Sequence, residues 1–176
     1  MLPIQNFRVQ NNDNPETRHE NYLLPINYLC KNLFMTHVEI SRVSHDFGFE
    51  GTDSAGHRVK MDSSPENGGH DFGIRPMQML LMGLGGCSGI DIVSILKKQR
   101  QPVEGFRISI DGEREPGKEP SLWKRIHILF ELKGNIDPEK AKRACALSID
   151  KYCSVAATLM GAGCEIKWET QVVPAG

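Results

Sequence analysis

The sequence predicts an α+β chain in which a sheet packs on helices, with elements in the order ββ(β)–α–ββ–α–β. Three observations predict it. Segments that alternate apolar and polar residues at period two lie on both sides of a long apolar run, Pro76–Leu96. A second helical pattern opens at Asp137-Pro138-Glu139, with an N-cap residue, a proline at the first helical position and an acid in the first turn. No nucleotide-binding glycine motif succeeds a strand.

Residues 1–34 read as an extension, either upstream of a natural start at Met35 or an arm that packs on a partner chain, and 35–176 read as the domain. Val38, Ile40 and Val43 set one side of a first strand against His37, Glu39 and Ser41. Phe47–Gly51 makes a second, Asp53-Ser-Ala-Gly56 a turn, and Arg58–Met61 a third strand. A loop rich in Gly, Pro and Asn spans Ser63–Gly73 and delivers Pro76 to the first turn of a helix that runs to about Gln99. That helix is apolar on nearly every side, so it must be covered all round. Gly83, Gly85, Gly86 and Gly89 each cost on the order of 1 kcal/mol of helix propensity relative to Ala, which close packing, a kink or ligand access has to offset. Phe106, Ile108 and Ile110 alternate along one strand. Ile126, Ile128, Phe130 and Leu132 alternate along the next, and the polar loop Glu113–Ser121 joins the two as an antiparallel pair. The second helix carries its apolar stripe at Ala141, Cys145, Ile149, Tyr152, Val155 or Ala156, and Leu159, and Gly161-Ala-Gly163 ends it. A last strand alternates from Cys164 to Val172.

Composition excludes several classes. A chain of 176 residues fits one domain with a sizeable core. A net charge of −1 with interspersed signs leaves no basic stripe for nucleic acid and no polybasic run for anionic lipid. The six histidines show no pair at a useful spacing and there is no CxxC or HExxH, so no metal or other cofactor is expected. The apolar run is interrupted by Gln78, Ser88, Asp91 and Ser94 and reads as a buried central helix rather than a membrane span. The first residues are polar and show no signal-peptide pattern. The odd count of five widely spaced cysteines fits a reducing cytoplasm better than a disulfide framework.

Cys87 and Cys153 are the informative pair. Cys87 lies in the glycine-rich apolar helix, with Gly85 and Gly86 leaving space beside its sulfur, and Cys153 lies toward the end of the second helix. A buried core thiol is the ordinary reading of any one cysteine. Two of them on two amphipathic helices also suit thiol redox chemistry in a hydrophobic pocket. A reactive thiol needs a nearby cation or helix terminus to lower its pKa from about 8.5. Arg75 starts the helix of Cys87, but roughly 18 Å of straight helix separates them, so it reaches Cys87 only if the chain bends back, and Arg42, Arg58 or a residue from another chain are open alternatives. Asp91 is a poor thiolate neighbour and is expected to bond within the helix bundle. Met77, Met79, Leu80, Met82 and Leu84 offer a flexible apolar pocket lining.

Around Pro76-Met-Gln-Met-Leu-Leu-Met-Gly-Leu-Gly-Gly-Cys87-Ser-Gly-Ile-Asp and Lys151-Tyr-Cys153-Ser-Val, the chain resembles the OsmC/Ohr family, the osmotically inducible and organic hydroperoxide resistance proteins. Ser63-Ser-Pro-Glu-Asn-Gly-Gly and Gly73-Ile-Arg-Pro are similar to its YhfA-type branch. The resemblance covers about residues 36–173 and implies an antiparallel sheet wrapped on two long central helices in an intertwined homodimer. It implies cysteine-based reduction of organic hydroperoxides, with Cys87 as the peroxidatic and Cys153 as the resolving thiol, reset by an external dithiol. In the Ohr pattern a Glu comes after the helix-start proline and holds an Arg against the thiolate. Here Met77 stands after Pro76 and Gln78 comes next, leaving Arg75 and Gln78 as the candidate thiolate-stabilising residues. That departure keeps a second reading open: a protein of this fold that binds a hydrophobic ligand, or serves in stress, without efficient turnover.

Overall fold

The computed structural model describes residues 35–175. The expected extension 1–34, and Cys30 with it, lie outside the described residues. From Val38 onward the chain forms one compact unit. β1 (Val38–Ser44), β2 (Gly48–Asp53) and β3 (Arg58–Met61) pair antiparallel in that order. β4 (Gly105–Arg114), β5 (Trp123–Lys133) and β6 (Glu165–Val173) make a second three-stranded sheet. The long helix α1 (Pro76–Lys98) packs on β4 and on the second helical segment. It is long and apolar enough to cross a membrane by length and composition, and these contacts make it the central helix of the unit.

The period-two reading of β4 and β5 holds residue by residue. Ile126, Ile128, Phe130 and Leu132 are buried on the helix side of β5, while Arg125 and His127 face solvent. Each large side chain buried in this way contributes on the order of 1.5–3 kcal/mol. One pairing differs from the expectation of an antiparallel sheet: β6 lies parallel to β5, in a register that sets Ile128 opposite Trp168. The helical segment between them carries the chain back across the sheet before β6 begins, as a parallel pair requires.

The second helix is also not one long helix. α2 (Pro138–Leu147) gives way to a π turn at Ser148–Tyr152; Cys153 then takes an extended conformation, and α3 (Ser154–Gly161) comes next. A π turn adds a residue to the turn and rotates the chain beyond it. Tyr152, expected on the apolar stripe, is therefore exposed, and Cys153 takes the inward position. The start matches the sequence signals: Asp137 Oδ1 accepts from the N–H groups of Glu139 and Lys140 at 2.9 and 3.2 Å.

The loop ahead of α1 is organised by Asp62, a buried carboxylate. It accepts from the N–H groups of Ser63 (2.8 Å), His70 (2.8 Å) and Phe72 (2.9 Å). Burial alone would raise its pKa, but these donors outweigh it and hold the group below its ordinary 3.8. The loop returns to β3 through a bridge between Ile74 and Met61, and so hands Arg75 and Pro76 to the start of α1.

Two apolar surfaces stay open. Val38, Ile40, Val43 and Phe49 of the first sheet, and Phe47 in the turn between β1 and β2, are exposed. On α1, one chain alone leaves a face uncovered, where Met82, Ile90 and Val93 are exposed, Ile90 at 71%. The four glycines divide between the two sides of this helix. A Cβ on Gly85 would lie 3.1 Å from Ile110 Cδ1, and one on Gly89 would lie 2.9 Å from Ile108 Cδ1. These two let α1 settle onto β4. Gly83 and Gly86 meet nothing within 4 Å and belong to the open face.

Candidate redox site

The site is built where α1 meets the broken second helix. Residues 84, 87, 88 and 91 recur at helical spacing along the side of α1 that faces α2 and α3. Leu84 and Ser88 are fully buried there, and Cys87 is half-buried at the edge of the open face. The break in the second helix brings Cys153 to the same place, 2% exposed. The Cys87 sulfur is near enough to act on its thiol, and both thiols are free.

Cys153 is the N-cap of α3: the Ala156 N–H donates to its sulfur at 3.4 Å. Its own thiol donates to the Leu84 carbonyl at 4.0 Å. That oxygen also accepts from the Ser88 hydroxyl at 2.8 Å. A helix N-terminus favours a thiolate, yet burial in this apolar setting opposes it and wins, and the Cys87 sulfur beside it adds to the effect. The Cys153 pKa is pushed up to about 11 from an ordinary 9.0, so at neutral pH it is a protonated thiol. The geometry thus distinguishes a half-buried sulfur from a buried, protonated one.

The other predicted residues are not gathered at this point. Leu84 belongs to the core, and it is its carbonyl rather than its side chain that meets the site. Arg75 is the N-cap residue of α1, and Gln78 accepts from the Arg75 N–H at 3.3 Å. Arg75 acts electrostatically on Glu66, with which it helps hold that carboxyl below its ordinary value after the larger effects of hydrogen bonds from Ser64 and the Glu66 backbone. Both residues sit at the far end of the helix from Cys87. The chain does not bend back, so the rise of α1 leaves Arg75 about 18 Å away along the axis. The Met77 carbonyl accepts from the Trp123 indole N–H at 3.1 Å, Met79 is half-buried, and Leu80 is exposed.

A groove of about 500 Å³ runs along α1 between Gln78, Met82, Gly86 and Ile110, and a second of about 460 Å³ continues it past Gly89, Ile90 and Phe106. None of Met77, Met79, Leu80 and Leu84 lines them, and neither does Cys87. Gly85 and Gly89 are each two positions from Cys87, which turns them to roughly opposite sides of the helix. The space expected beside the sulfur at Gly85 is filled by Ile110. Thiol and grooves instead flank the same open face.

Ser88, Ser148 and the cap on Ala156 were missed in the sequence. Their signal was present: Ser88 and Ser148 are small polar residues at positions where the apolar stripes predict core, and both are fully buried. Asp91 bonds within the bundle as expected, accepting from the Ser148 hydroxyl at 3.3 Å. His70 donates its N–H to Asp62 and stacks edge-on with His45. His127 faces Glu169 on the solvent side of β5, away from the thiols. No group of metal-ligating side chains occurs among the described residues.

An α+β unit with an accessible cysteine on its central helix, set against a buried cysteine at a helix break, defines a class of paired-thiol proteins. Residues 68–169, more than half the chain, match the family described as OsmC-like protein, and the chain belongs to that family. It is 41% identical over 112 residues to the Protein YhfA of Escherichia coli strain K12, an alignment covering 63% of this chain and 80% of that one. The crystal structure of a hypothetical protein from Aquifex aeolicus VF5 superposes with a TM-score of 0.70 at 30% identity, covering 81% of this chain and 98% of that one. The organic hydroperoxide resistance protein OsmC of Legionella pneumophila shares the fold, with a TM-score of 0.62 at 15% identity over 80% of this chain and 98% of that one.

Proposed function

We propose that this protein is a thiol-dependent peroxidase that reduces organic hydroperoxides through Cys87 and Cys153 in the cytoplasm. The observation that carries the reading is the proximity of half-buried Cys87 to buried, protonated Cys153. The Cys87 thiolate attacks the distal oxygen of the hydroperoxide. The O–O bond breaks, the alkoxide takes a proton and leaves as the alcohol, and Cys87 becomes a sulfenic acid. Cys153 sulfur then attacks the Cys87 sulfur; its proton leaves with the hydroxyl as water, and a disulfide remains. An external dithiol reduces that disulfide to two thiols and is itself oxidised to a disulfide.

The active form in this reading is a homodimer. Val38, Ile40 and Phe49 on the first sheet and Met82, Ile90 and Val93 on α1 leave apolar surface that a second copy would cover. A copy laid on the open face of α1 would roof both Cys87 and the grooves beside it, and supply the cation that the described residues of one chain do not bring to the thiolate.

The test is consumption of cumene hydroperoxide by the reduced protein with dithiothreitol, alongside Cys87→Ser. Turnover that Cys87→Ser abolishes, with a Cys87–Cys153 disulfide found by mass spectrometry after one equivalent of peroxide, is expected. A wild-type protein without turnover that retains a bound hydrophobic molecule would favour the second reading, a ligand-binding member of the fold, which the apolar grooves support.

A further inference from the structure

The π turn has a polar anchor that neither the core nor the capping of α3 requires. Ser148 is fully buried, and its hydroxyl points at α1, 3.3 Å from the Ser88 carbonyl and 3.3 Å from Asp91 Oδ2. The one hydroxyl proton is shared between these two acceptors. The Ser148 carbonyl, in turn, accepts from the Cys153 N–H at 2.8 Å, the hydrogen bond that closes the π turn. Ser148 therefore touches α1 with its side chain and Cys153 with its backbone.

The two contacts fall on successive turns of α1. Ser148 engages Ser88 and Asp91; Cys153 engages the Leu84 carbonyl, one turn before Ser88 and beside Cys87. Residues three and four apart on a helix lie above one another, so the π turn is pinned at two levels of one helix face. With the upper pin in place, the short segment from Ser148 to Cys153 has little freedom to carry the sulfur away. Without it, the segment keeps its backbone hydrogen bonds, the apolar contacts of Ile149 and the thiol itself, but loses the hydroxyl's tie to α1.

We infer that Ser148 is a positioning residue for the thiol pair: its hydroxyl on Asp91 and Ser88 holds the π turn to α1 and so sets the Cys153 sulfur against Cys87. The inference rests on the reading of Cys87 and Cys153 as a redox pair, and it goes further by naming what fixes their separation. Ser148 touches neither sulfur with its side chain, so it acts through the effective concentration of Cys153 at Cys87.

The test uses no peroxide, so it stands apart from the test of peroxidase activity. The full-length protein, Ser148→Ala, Ser148→Thr and Asp91→Ala are equilibrated in mixtures of reduced and oxidised dithiothreitol. The Cys87–Cys153 disulfide is then quantified by alkylation and mass spectrometry. Ser148→Ala is expected to lower the equilibrium constant for the disulfide about tenfold, which raises the reduction potential by about 30 mV. Ser148→Thr, which restores the hydroxyl, is expected within about threefold of wild type. Asp91→Ala should reproduce part of the loss, and the double variant with Ser148→Ala should lose no more than Ser148→Ala alone, because the two residues share one interaction. If Ser148→Thr fails to fold, this cycle decides. A folded Ser148→Ala with an equilibrium constant within about twofold of wild type would overturn the inference. So would a wild-type protein that forms no Cys87–Cys153 disulfide in any mixture. A protein that shows the expected shift but consumes no hydroperoxide would sustain the clamp and refute the peroxidase.

Discussion

The sulfur of Cys153 caps the next helix, taking the Ala156 N–H at 3.4 Å. The residue therefore has a structural duty besides any redox one, and the two come apart under substitution. Cys153→Ser keeps a capping atom and should hold the stability of the reduced protein within about 1 kcal/mol, whereas Cys153→Ala loses the cap and should cost about 1 kcal/mol more. Urea unfolding of the reduced proteins measures this. After one equivalent of cumene hydroperoxide both variants should retain a Cys87 sulfenic acid or move on to the sulfinic acid, seen by mass spectrometry. A Cys87–Cys145 disulfide in the wild type would show that the resolving partner is a different sulfur.

Titration of the same thiol should appear as a loss of stability in alkali. Its pKa is raised from 9.0 to about 11, so the folded state binds the proton more tightly than the unfolded state. The stabilisation is fully present below pH 9 and is lost as pH rises from 9 through 11. The size is on the order of 2–3 kcal/mol. Burial also raises the pKa of Cys145 and Cys164, which adds slope of the same sign. The quantity to measure is therefore the difference in unfolding free energy between wild type and Cys153→Ser at about pH 8 and about pH 10.5. An identical pH slope in the two proteins would contradict the assignment.

The glycines of α1 should respond to alanine in opposite senses. Gly83→Ala places a methyl in open space and gains helix propensity of about 1 kcal/mol. Gly89→Ala presses its methyl toward Ile108 Cδ1, 2.9 Å away, and should fall at least about 1 kcal/mol below Gly83→Ala in thermal or urea unfolding. Equal stabilities would mean that α1 and β4 are not in such close contact.

The assembly is tested on the open face of α1 and not at Leu84. A charge at Leu84 enters the core of the single chain, where the side chain is fully buried, and should prevent folding. Ile90→Asp sits at a position 71% exposed in one chain and should leave the fold intact. If a second copy covers this face with an apolar interface above about 2,000 Å², Ile90→Asp should be a folded monomer by light scattering at micromolar concentration, with turnover sharply reduced. A wild-type monomer at that concentration would remove the shared site.

Much of this architecture was legible in the sequence, and the rest escaped for physical reasons. Pro76, Asp137 and the alternation of Ile126 to Leu132 act locally, so helix starts and the buried face of β5 are set by them directly. The direction of β6 is not, because alternation along a strand reads the same whether its partner runs parallel or antiparallel. The register of the second helix past Ile149 is lost for another reason: a π turn leaves no mark in composition, and it exchanges Tyr152 for Cys153 at the inward position. Cys87 and Cys153 were legible as a pair, whereas Arg75 and Gln78 were placed by a resemblance whose geometry one chain alone does not close.

The parallel pairing of β6 bears on the order in which the chain closes. β4 and β5 are neighbours in sequence and can form as a hairpin. β6 meets β5 only after the whole of α2 and α3 has crossed the sheet, so among the described strands it emerges last and its pairing closes the longest loop. Cys145 lies on α2, which packs against β6, and has no exposed surface in the finished fold. Until β6 is laid down α2 lacks that cover, and the sulfur is open to oxidants during synthesis and during any partial unfolding that frees β6. Cys145 is thereby a natural reporter: the rate at which a thiol reagent reaches it under native conditions reads how often the last strand lets go.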